Sequence, residues 1–341
     1  MSRAIYVGKN AMRHSYPNPM VGCVIVCNNK IISEGFTSPY GGPHAEVNAI
    51  EKVTDKSLLA QATMYVTLEP CAHYGKTPPC ANLIASHQIR QLVIGILDPN
   101  PMVSGKGVEI LESAGIKVLT GVLKEACEEH HKRFLSLQNE KRPYIILKWA
   151  QSADAYVAPP RLNRNPYWIS SPLSKQRVHC WRTQEHAVLI GANTLKDDAP
   201  ELDVRLWSGP SPIPVYVDRD LSIAKTAPLF SLHQKIICFT DKTSTIPKPN
   251  PQLTYIYIDF TKPIGKQIAH GLFTLGITSV IVEGGSQTLS AFIIENIWDE
   301  ARVFTSKNSL ETGVKAPKIF GKIIGEEDIE HDHLQLLLPL S

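Results

Sequence analysis

A chain of 341 residues with 43% hydrophobic and 20% charged side chains is long enough for two cores and has the balance of an ordinary globular protein. Its formal net charge of +3 supplies no electrostatic footprint for gripping a nucleic-acid backbone, and no apolar run is long enough to cross a bilayer. Seven widely spread cysteines and a start without an apolar signal-peptide core argue against a secreted disulfide scaffold, so the cytoplasm is the expected compartment.

In chain order, the spacing predicts a helix over 3–12, then an apolar strand over 21–27. The pair Asn28-Asn29 turns that strand into a partner at 30–35. A helix follows over 44–53, a strand over 62–67, a helix over 80–86 and a strand over 92–97. A helix over 108–114 and a strand over 116–119 complete a sheet covered by helices on both faces. The charged helix over 123–140 ends at Lys141-Arg142-Pro143, the expected domain boundary. Beyond it a second α/β pattern begins. Strands are expected over 144–150, 187–191, 214–218, 235–240, 253–258 and 278–283, with helices over 173–185, 265–275 and 286–297.

Three short pieces of the first half carry the chemistry: Pro43-His44-Ala45-Glu46, Glu69-Pro70-Cys71 and Pro78-Pro79-Cys80. One imidazole and two thiolates leave the fourth position of a tetrahedral zinc open, as in a catalytic site. A carboxylate two residues after the histidine can move protons at an activated water. His-x-Glu followed by Pro-Cys and a second Cys is the signature of zinc-dependent deaminases. The departure from the generic Cys-x-x-Cys is informative, because eight residues, 72–79, separate Cys71 from Cys80. Within that loop His73 and Lys76 can meet a phosphorylated substrate.

The stretch from Pro70 to Cys80, with Pro17-Asn18-Pro19, Gly42-Pro43-His44-Ala45-Glu46 and Asp98-Pro99-Asn100-Pro101, resembles the bifunctional deaminase/reductase family of riboflavin biosynthesis. The resemblance spans essentially the whole chain. It implies an N-terminal cytidine-deaminase-like α/β/α domain over 1–142 and a C-terminal dihydrofolate-reductase-like α/β domain over 143–341. It further implies two reactions: hydrolytic deamination of 2,5-diamino-6-ribosylamino-4(3H)-pyrimidinone 5′-phosphate, then reduction of its ribosyl group by NADPH.

Carried over residue by residue, the resemblance makes His44, Cys71 and Cys80 the zinc ligands and Glu46 the proton donor, with Asn18, His73 and Lys76 on the substrate. In the second half Leu147-Lys148-Trp149-Ala150, Trp168-Ile169-Ser170-Ser171-Pro172, Ile190-Gly191-Ala192-Asn193-Thr194 and Val282-Glu283-Gly284-Gly285-Ser286 are its landmarks. It implies NADPH contacts at Ala150, Trp168, Thr194, Asp198 and along Gly285, Ser286, Gln287, Thr288, Leu289 and Ser290. Arg182, Leu202, Arg205 and Glu283 would hold the substrate, the arginines suiting its phosphate. Lys148 is the candidate for polarising the sugar during hydride transfer.

The last landmark also has its own logic, since a strand, two glycines and a helix start let backbone amides approach a phosphate closely. Three departures stand out: Thr37 replaces a family-typical histidine, Ala155 stands where the family has glycine, and Pro166 cannot supply an expected hydroxyl. The expected partner is a small phosphorylated pyrimidine rather than nucleic acid or membrane, with the chain a homo-oligomer. Rival readings are a nucleoside or tRNA deaminase fused to an unrelated domain, a structural zinc module, and a deaminase with a degenerate reductase.

Overall fold

The computed structural model describes residues 1–73, 78–100, 103–160, 167–224, 226–241 and 250–340. The chain divides into two compact units, Met1–Lys141 and Arg142–Ser341.

The first unit runs α1 (Ser2–Gly8), β1 (Gly22–Cys27), β2 (Lys30–Phe36), α2 (Ala45–Lys52), β3 (Thr63–Leu68), α3 (Cys80–Ser86), β4 (Gln91–Ile96), α4 (Lys106–Ser113), β5 (Lys117–Leu119) and α5 (Lys124–Asn139). Its sheet has the order β2-β1-β3-β4-β5. Asn28 and Asn29 both take positive φ (50° and 58°), the twist that a two-residue hairpin between β1 and β2 requires. Antiparallel pairing of β1 with β2 and β3 gives way to parallel pairing from β3 through β5. Strand alternation sorts the two faces. Cys23 and Ile25 pack toward Ala45, Ala49 and Ile50 of α2, whereas Val24 and Val26 pack toward Ala4 and Val7 of α1.

Under α5 the sheet holds a buried histidine pair. His130 donates through Nε2 to the Met20 carbonyl at 2.7 Å, and His131 Nε2 lies 2.9 Å from Thr67 Oγ1. His131 is 1% exposed and its Nδ1 is buried without a partner among the described residues. Burial pushes His131 well below the ordinary histidine range, and pushes His130 down as well.

The second unit adds β6 (Tyr144–Gln151), β7 (Tyr156–Ala158), α6 (Pro172–Gln184), β8 (Ala187–Gly191), α7 (Ala192–Asp198), β9 (Ile213–Val217), α8 (Leu229–Leu232), β10 (Ile236–Asp241), β11 (Leu253–Ile258) and α9 (Gly265–Thr274). It closes with β12 (Ser279–Val282), α10 (Ser286–Ile294), β13 (Glu300–Ser306), β14 (Val314–Lys315), β15 (Gly321–Ile329) and β16 (Asp332–Pro339). The order of its large sheet is β11-β10-β9-β8-β12-β6-β13-β16-β15. All neighbours are parallel except where β16 pairs with β13 and β15.

One face buries Ile145, Leu147, Val280 and Val282 beneath Ile268 and Leu272 of α9 and Phe292 of α10. The other gathers Tyr144, Ile146 and Ile281 against Trp181 of α6. Arg142 belongs to this unit through a bidentate pair with Asp299, at 2.6 and 2.8 Å. The strands from β13 to β16, the short β7 and the short helices α7 and α8 lie outside the periodicity-based expectation. Among the described residues no helix is long and apolar enough to cross a membrane.

Two of the three departures in sequence have structural meaning; Pro166 lies outside the described residues. Thr37 is buried, its hydroxyl accepting from the Val21 amide at 3.0 Å, so it ties the strand end rather than facing a ligand. Ala155 sits at φ 62°, where a Cβ crowds the backbone.

Ala155→Gly is therefore expected to stabilise the second unit by about 1 kcal/mol, read as a rise in its denaturation midpoint. For the histidine pair the folded pKa lies below the free value of 6.5, so the unfolded chain binds more protons between the two values. Stability of the first unit is then complete above pH 6.5 and falls as the pH is lowered, and denaturation of His131→Gln at pH 7.5 and 5.5 should show a flatter dependence than the parent.

Candidate active sites

In the first unit three element ends meet. His44 is the N-cap of α2 in an extended conformation, Cys71 follows the end of β3, and Cys80 opens α3 behind Pro79. Their ligand atoms all lie within 4.8 Å of one another. His44 Nδ1 is 3.6 Å from Cys71 Sγ and 3.3 Å from Cys80 Sγ. Zinc–nitrogen and zinc–sulfur bonds at a tetrahedral angle span about 3.6 Å, so this donor set fits that metal in both chemistry and spacing. The Cys80 amide donates to Cys71 Sγ at 3.3 Å and the Ala81 amide to the Cys71 carbonyl at 3.2 Å, which locks the two cysteines together.

Electrostatics favour a charged thiol here. The neighbouring Cys80 thiol, and then His44, hold Cys71 down to about 4. Glu46, in the first turn of α2, is 3% exposed and interacts electrostatically with Cys71, His44 and Cys80. Burial pushes its carboxyl up to about 7. The loop leading to His44 is stapled by Asn48 Nδ2, which donates to the Phe36 carbonyl at 2.8 Å and to Ser38 Oγ at 2.9 Å. Asn18 is half-buried in a turn closed by its amide on the Ser15 carbonyl. His73 is exposed, and Lys76 lies outside the described residues.

Sequence reasoning quotes Glu69 only as part of a motif and gives it no role. Its carboxylate is 3% exposed and accepts from the amides of Asp98 (3.2 Å), Gly105 (3.1 Å), Gly107 (3.0 Å) and Val108 (3.4 Å). It thereby caps α4 with a negative charge at the helix start and draws the segment from Asp98 onto the strand end that carries Cys71. Gly107 is obligatory for this approach, since a Cβ there would fall 2.3 Å from the Pro70 carbonyl oxygen. An acidic residue directly after an apolar strand, with a Gly-x-Gly helix start downstream, is the one signal that could have revealed it.

The second unit builds a different kind of site. Parallel strands β8 and β12 lie side by side and run into α7 and α10, so two helix starts share one edge. Neither helix has a side-chain cap, and their N-caps are Gly191 and Gly285, the latter at φ 70°. A Cβ on Gly191 would fall 2.6 Å from Thr288 Oγ1, and one on Gly284 would fall 3.0 Å from Thr194 Cγ2. This is a cradle of two helix starts without side-chain caps among the described residues, floored by glycine and rimmed by threonine, which fits a phosphate group such as those of NADPH. Ser286 and Ser290 are half-buried and Gln287 is exposed along α10. Leu289 instead buries its side chain in the core and returns its amide to the Gly285 carbonyl, so it anchors the helix.

Beside the cradle lies a buried charge cluster. Arg182 donates bidentately to Glu283, at 2.8 and 2.7 Å, and through Nη1 to the Asp203 carbonyl at 2.9 Å. Burial alone would raise Glu283, but Arg182 and then Lys148 overcome it and hold its carboxyl at about 2. Lys148, on β6, is lowered by burial, with Glu283 opposing that shift and its Nζ 5.7 Å from the Phe304 ring. The guanidinium fork of Arg182, expected on a substrate phosphate, is thus engaged within the protein. Arg205 is the more open arginine, its side chain 44% exposed and paired with Glu201 at 3.0 Å and with Asp203. Leu202 is 2% exposed and left-handed at φ 54°. Ala150 and Asp198 are half-buried, and exposed Trp168 carries the Lys175 ammonium 3.9 Å above its ring.

Comparison with known proteins supplies matches to both halves. The family model described as the cytidine and deoxycytidylate deaminase zinc-binding region matches residues 1–96, and that of the RibD C-terminal domain matches residues 143–336. The riboflavin biosynthesis protein RibD of Aquifex aeolicus is 35% identical, over 96% of this chain and 89% of its own length. The crystal structure of the diaminohydroxyphosphoribosylaminopyrimidine deaminase/5-amino-6-(5-phosphoribosylamino)uracil reductase of Thermotoga maritima is 35% identical, with a TM-score of 0.89 over 100% of this chain and 97% of that one. Acinetobacter baumannii RibD is 30% identical, with a TM-score of 0.89 over 100% of this chain and 98% of that one.

Removing the Glu69 charge leaves a helix start and several buried amides with a poorer acceptor. Glu69→Gln is expected to cost the first unit about 2–3 kcal/mol in denaturation and to speed zinc loss in chelator competition, with the second unit's unfolding unchanged.

Proposed function

The chain belongs to the RibD family of riboflavin-biosynthesis enzymes, with a deaminase domain and a reductase domain, and from this premise we propose which residues perform its two reactions. In the first unit His44, Cys71 and Cys80 would hold zinc, which would supply Lewis-acid activation of a water at neutral pH. Glu46 would accept a proton from the attacking water and deliver it to the departing amine, so that the diaminopyrimidinone ribotide gains a carbonyl oxygen and loses ammonia. Its burial suits the task, because a carboxyl poised near neutrality can both accept and donate. His73 and Asn18 face the substrate, and Lys76 completes that set. The observation that carries this reading is the triangle of His44, Cys71 and Cys80 with the Glu46 carboxyl against it.

In the second unit NADPH, when bound, supplies the hydride that converts the ribosyl group to ribityl. The cradle of Gly191, Thr194, Gly285, Ser286 and Thr288 takes the cofactor's phosphates, with Ala150, Trp168 and Asp198 along its length. Lys148 donates a proton to the sugar oxygen freed as the ring opens, under the field of the Glu283 carboxylate, which Arg182 orients. Arg205 receives the substrate's phosphate, and Leu202 closes the wall beside it.

Seven free cysteines support a reducing, cytoplasmic setting. The slight net charge supports a small phosphorylated pyrimidine as partner rather than nucleic acid. β15 is the outer strand of its sheet and exposes Ile323 and Ile324 next to exposed Phe320, which fits a second copy of this chain.

Purified protein given the diaminopyrimidinone ribotide and NADPH is expected to release ammonia and oxidise NADPH, each followed separately. Glu46→Gln should abolish ammonia release while leaving NADPH oxidation on the pre-deaminated ribotide intact. Ammonia without NADPH oxidation on either substrate would favour a degenerate second site.

A further inference from the structure

The assignment of the substrate phosphate to Arg205 raises a question of rigidity. Arg205 stands on the segment 199–205, which has no helix or strand of its own and turns through the left-handed residues Ala199 and Leu202. Such a segment holds one shape only if its backbone is tied from outside. The Glu201 carbonyl accepts from His233 Nε2 at 2.7 Å and the Val204 amide donates to Ser211 Oγ at 3.0 Å, and the ties at Asp203 and Arg205 come from α6. His179 and Arg182, three residues apart and so on one face of that helix, reach Arg205 and Asp203. The Asp203 carbonyl accepts from Arg182 Nη1 at 2.9 Å, and the Arg205 amide donates to His179 Nδ1 at 3.2 Å.

We propose that His179 is a positioning residue for phosphate recognition in the reductase: by accepting the Arg205 amide it fixes the backbone from which the Arg205 guanidinium reaches the substrate's phosphate. The proposal rests on the reading of Arg205 given above.

The chemistry of the contact is specific. A backbone amide only donates, so His179 Nδ1 accepts and the ring proton sits on Nε2. The imidazole must be neutral for this, and it is 5% exposed, with the guanidiniums of Arg182 and Arg205 beside it. Burial and those two cations hold it down to about 4, against the opposing charges of Asp203 and Glu283, so the acceptor persists through the neutral range. Division of labour follows along α6. Arg182 spends its fork on Glu283 and one donor on Asp203, whereas His179 accepts the amide of Arg205, whose side chain is exposed to ligand. Fixing that backbone beforehand removes an ordering cost from phosphate binding, which shows in KM rather than in the hydride-transfer step.

The test compares reductase kinetics on the deaminated ribotide and on its dephosphorylated riboside, for the parent chain, His179→Asn, His179→Gln and His179→Phe. An Asn oxygen reproduces the Nδ1 acceptor, a Gln oxygen lies one carbon too far, and Phe has no acceptor. The expected result is a roughly tenfold higher KM for the ribotide in the Gln and Phe variants, with kcat within about twofold and KM for the riboside unmoved. His179→Asn should stay within about threefold of the parent. Ammonia release, performed by the other unit, should be the same in all. Should the Phe variant fail to fold, the Asn and Gln pair decides alone. Equal losses on both substrates, an unchanged ribotide KM in His179→Gln, or no recovery in His179→Asn would overturn the proposal. A parent enzyme that does not prefer the ribotide would instead remove the phosphate from Arg205, and the proposal with it.

Discussion

A strand that stops and a helix that starts both leave backbone groups unpaired, and in a parallel sheet those ends gather at one edge. Both sites of this chain are built on that constraint. In the first unit His44 and Cys80 stand at the starts of α2 and α3, Cys71 follows β3, and Glu69 at the same strand end captures the start of α4. In the second, β8 and β12 deliver two uncapped helix starts to one cradle. The apolar alternation beneath each edge is what keeps these ends still. Cys23 and Ile25 bind α2 to the first sheet, and Val280, Val282 and Phe292 bind α10 to the second.

The two sites manage charge in opposite ways. Around His44 the polar groups are a histidine, a cysteine held down to about 4 and so ready to be a thiolate, a second cysteine, and a carboxyl that burial pushes up to about 7, a set that accepts a cation. Around Glu283 the groups stay ionised although little exposed, because Arg182 matches the carboxylate atom for atom and Lys148 stands close by. Breaking such a buried pair by removing one partner typically costs about 3–5 kcal/mol, so it fixes the second site's geometry at the expense of tolerance to change. Dipoles and charges held rigid in a dry site need no reorganisation when a reaction begins, which is why the fold commits them beforehand.

Much of this was legible in the residues, and for identifiable reasons. Metal ligation restricts residue type so strongly that His44, Glu46, Cys71 and Cys80 stand out before any fold is known. The apolar strands of both sheets and the hairpin at Asn28-Asn29 show through because burial imposes a period on the sequence. Charge and exposure hide the rest: β15 reads Gly-Lys-Ile-Ile-Gly-Glu-Glu-Asp-Ile, and β13 buries Glu300 and Arg302 against each other where alternation predicts apolar residues. Ala155 stands where the family has glycine, and the structure gives the alanine the left-handed backbone that a glycine takes without strain.

The sequence by itself determined that this chain folds as two α/β units and that one of them can hold a metal between a histidine and two cysteines. Those properties depend on local periodicity and on the identity of donor atoms, which each residue carries with it. Only the tertiary structure decided that Glu69 holds a distant helix start, that Arg182 spends its fork on Glu283, and that His179 carries the Arg205 amide. A carboxylate, a guanidinium or an imidazole announces what it can bind. Which partner it meets is set by how strands and helices far apart in sequence are packed together.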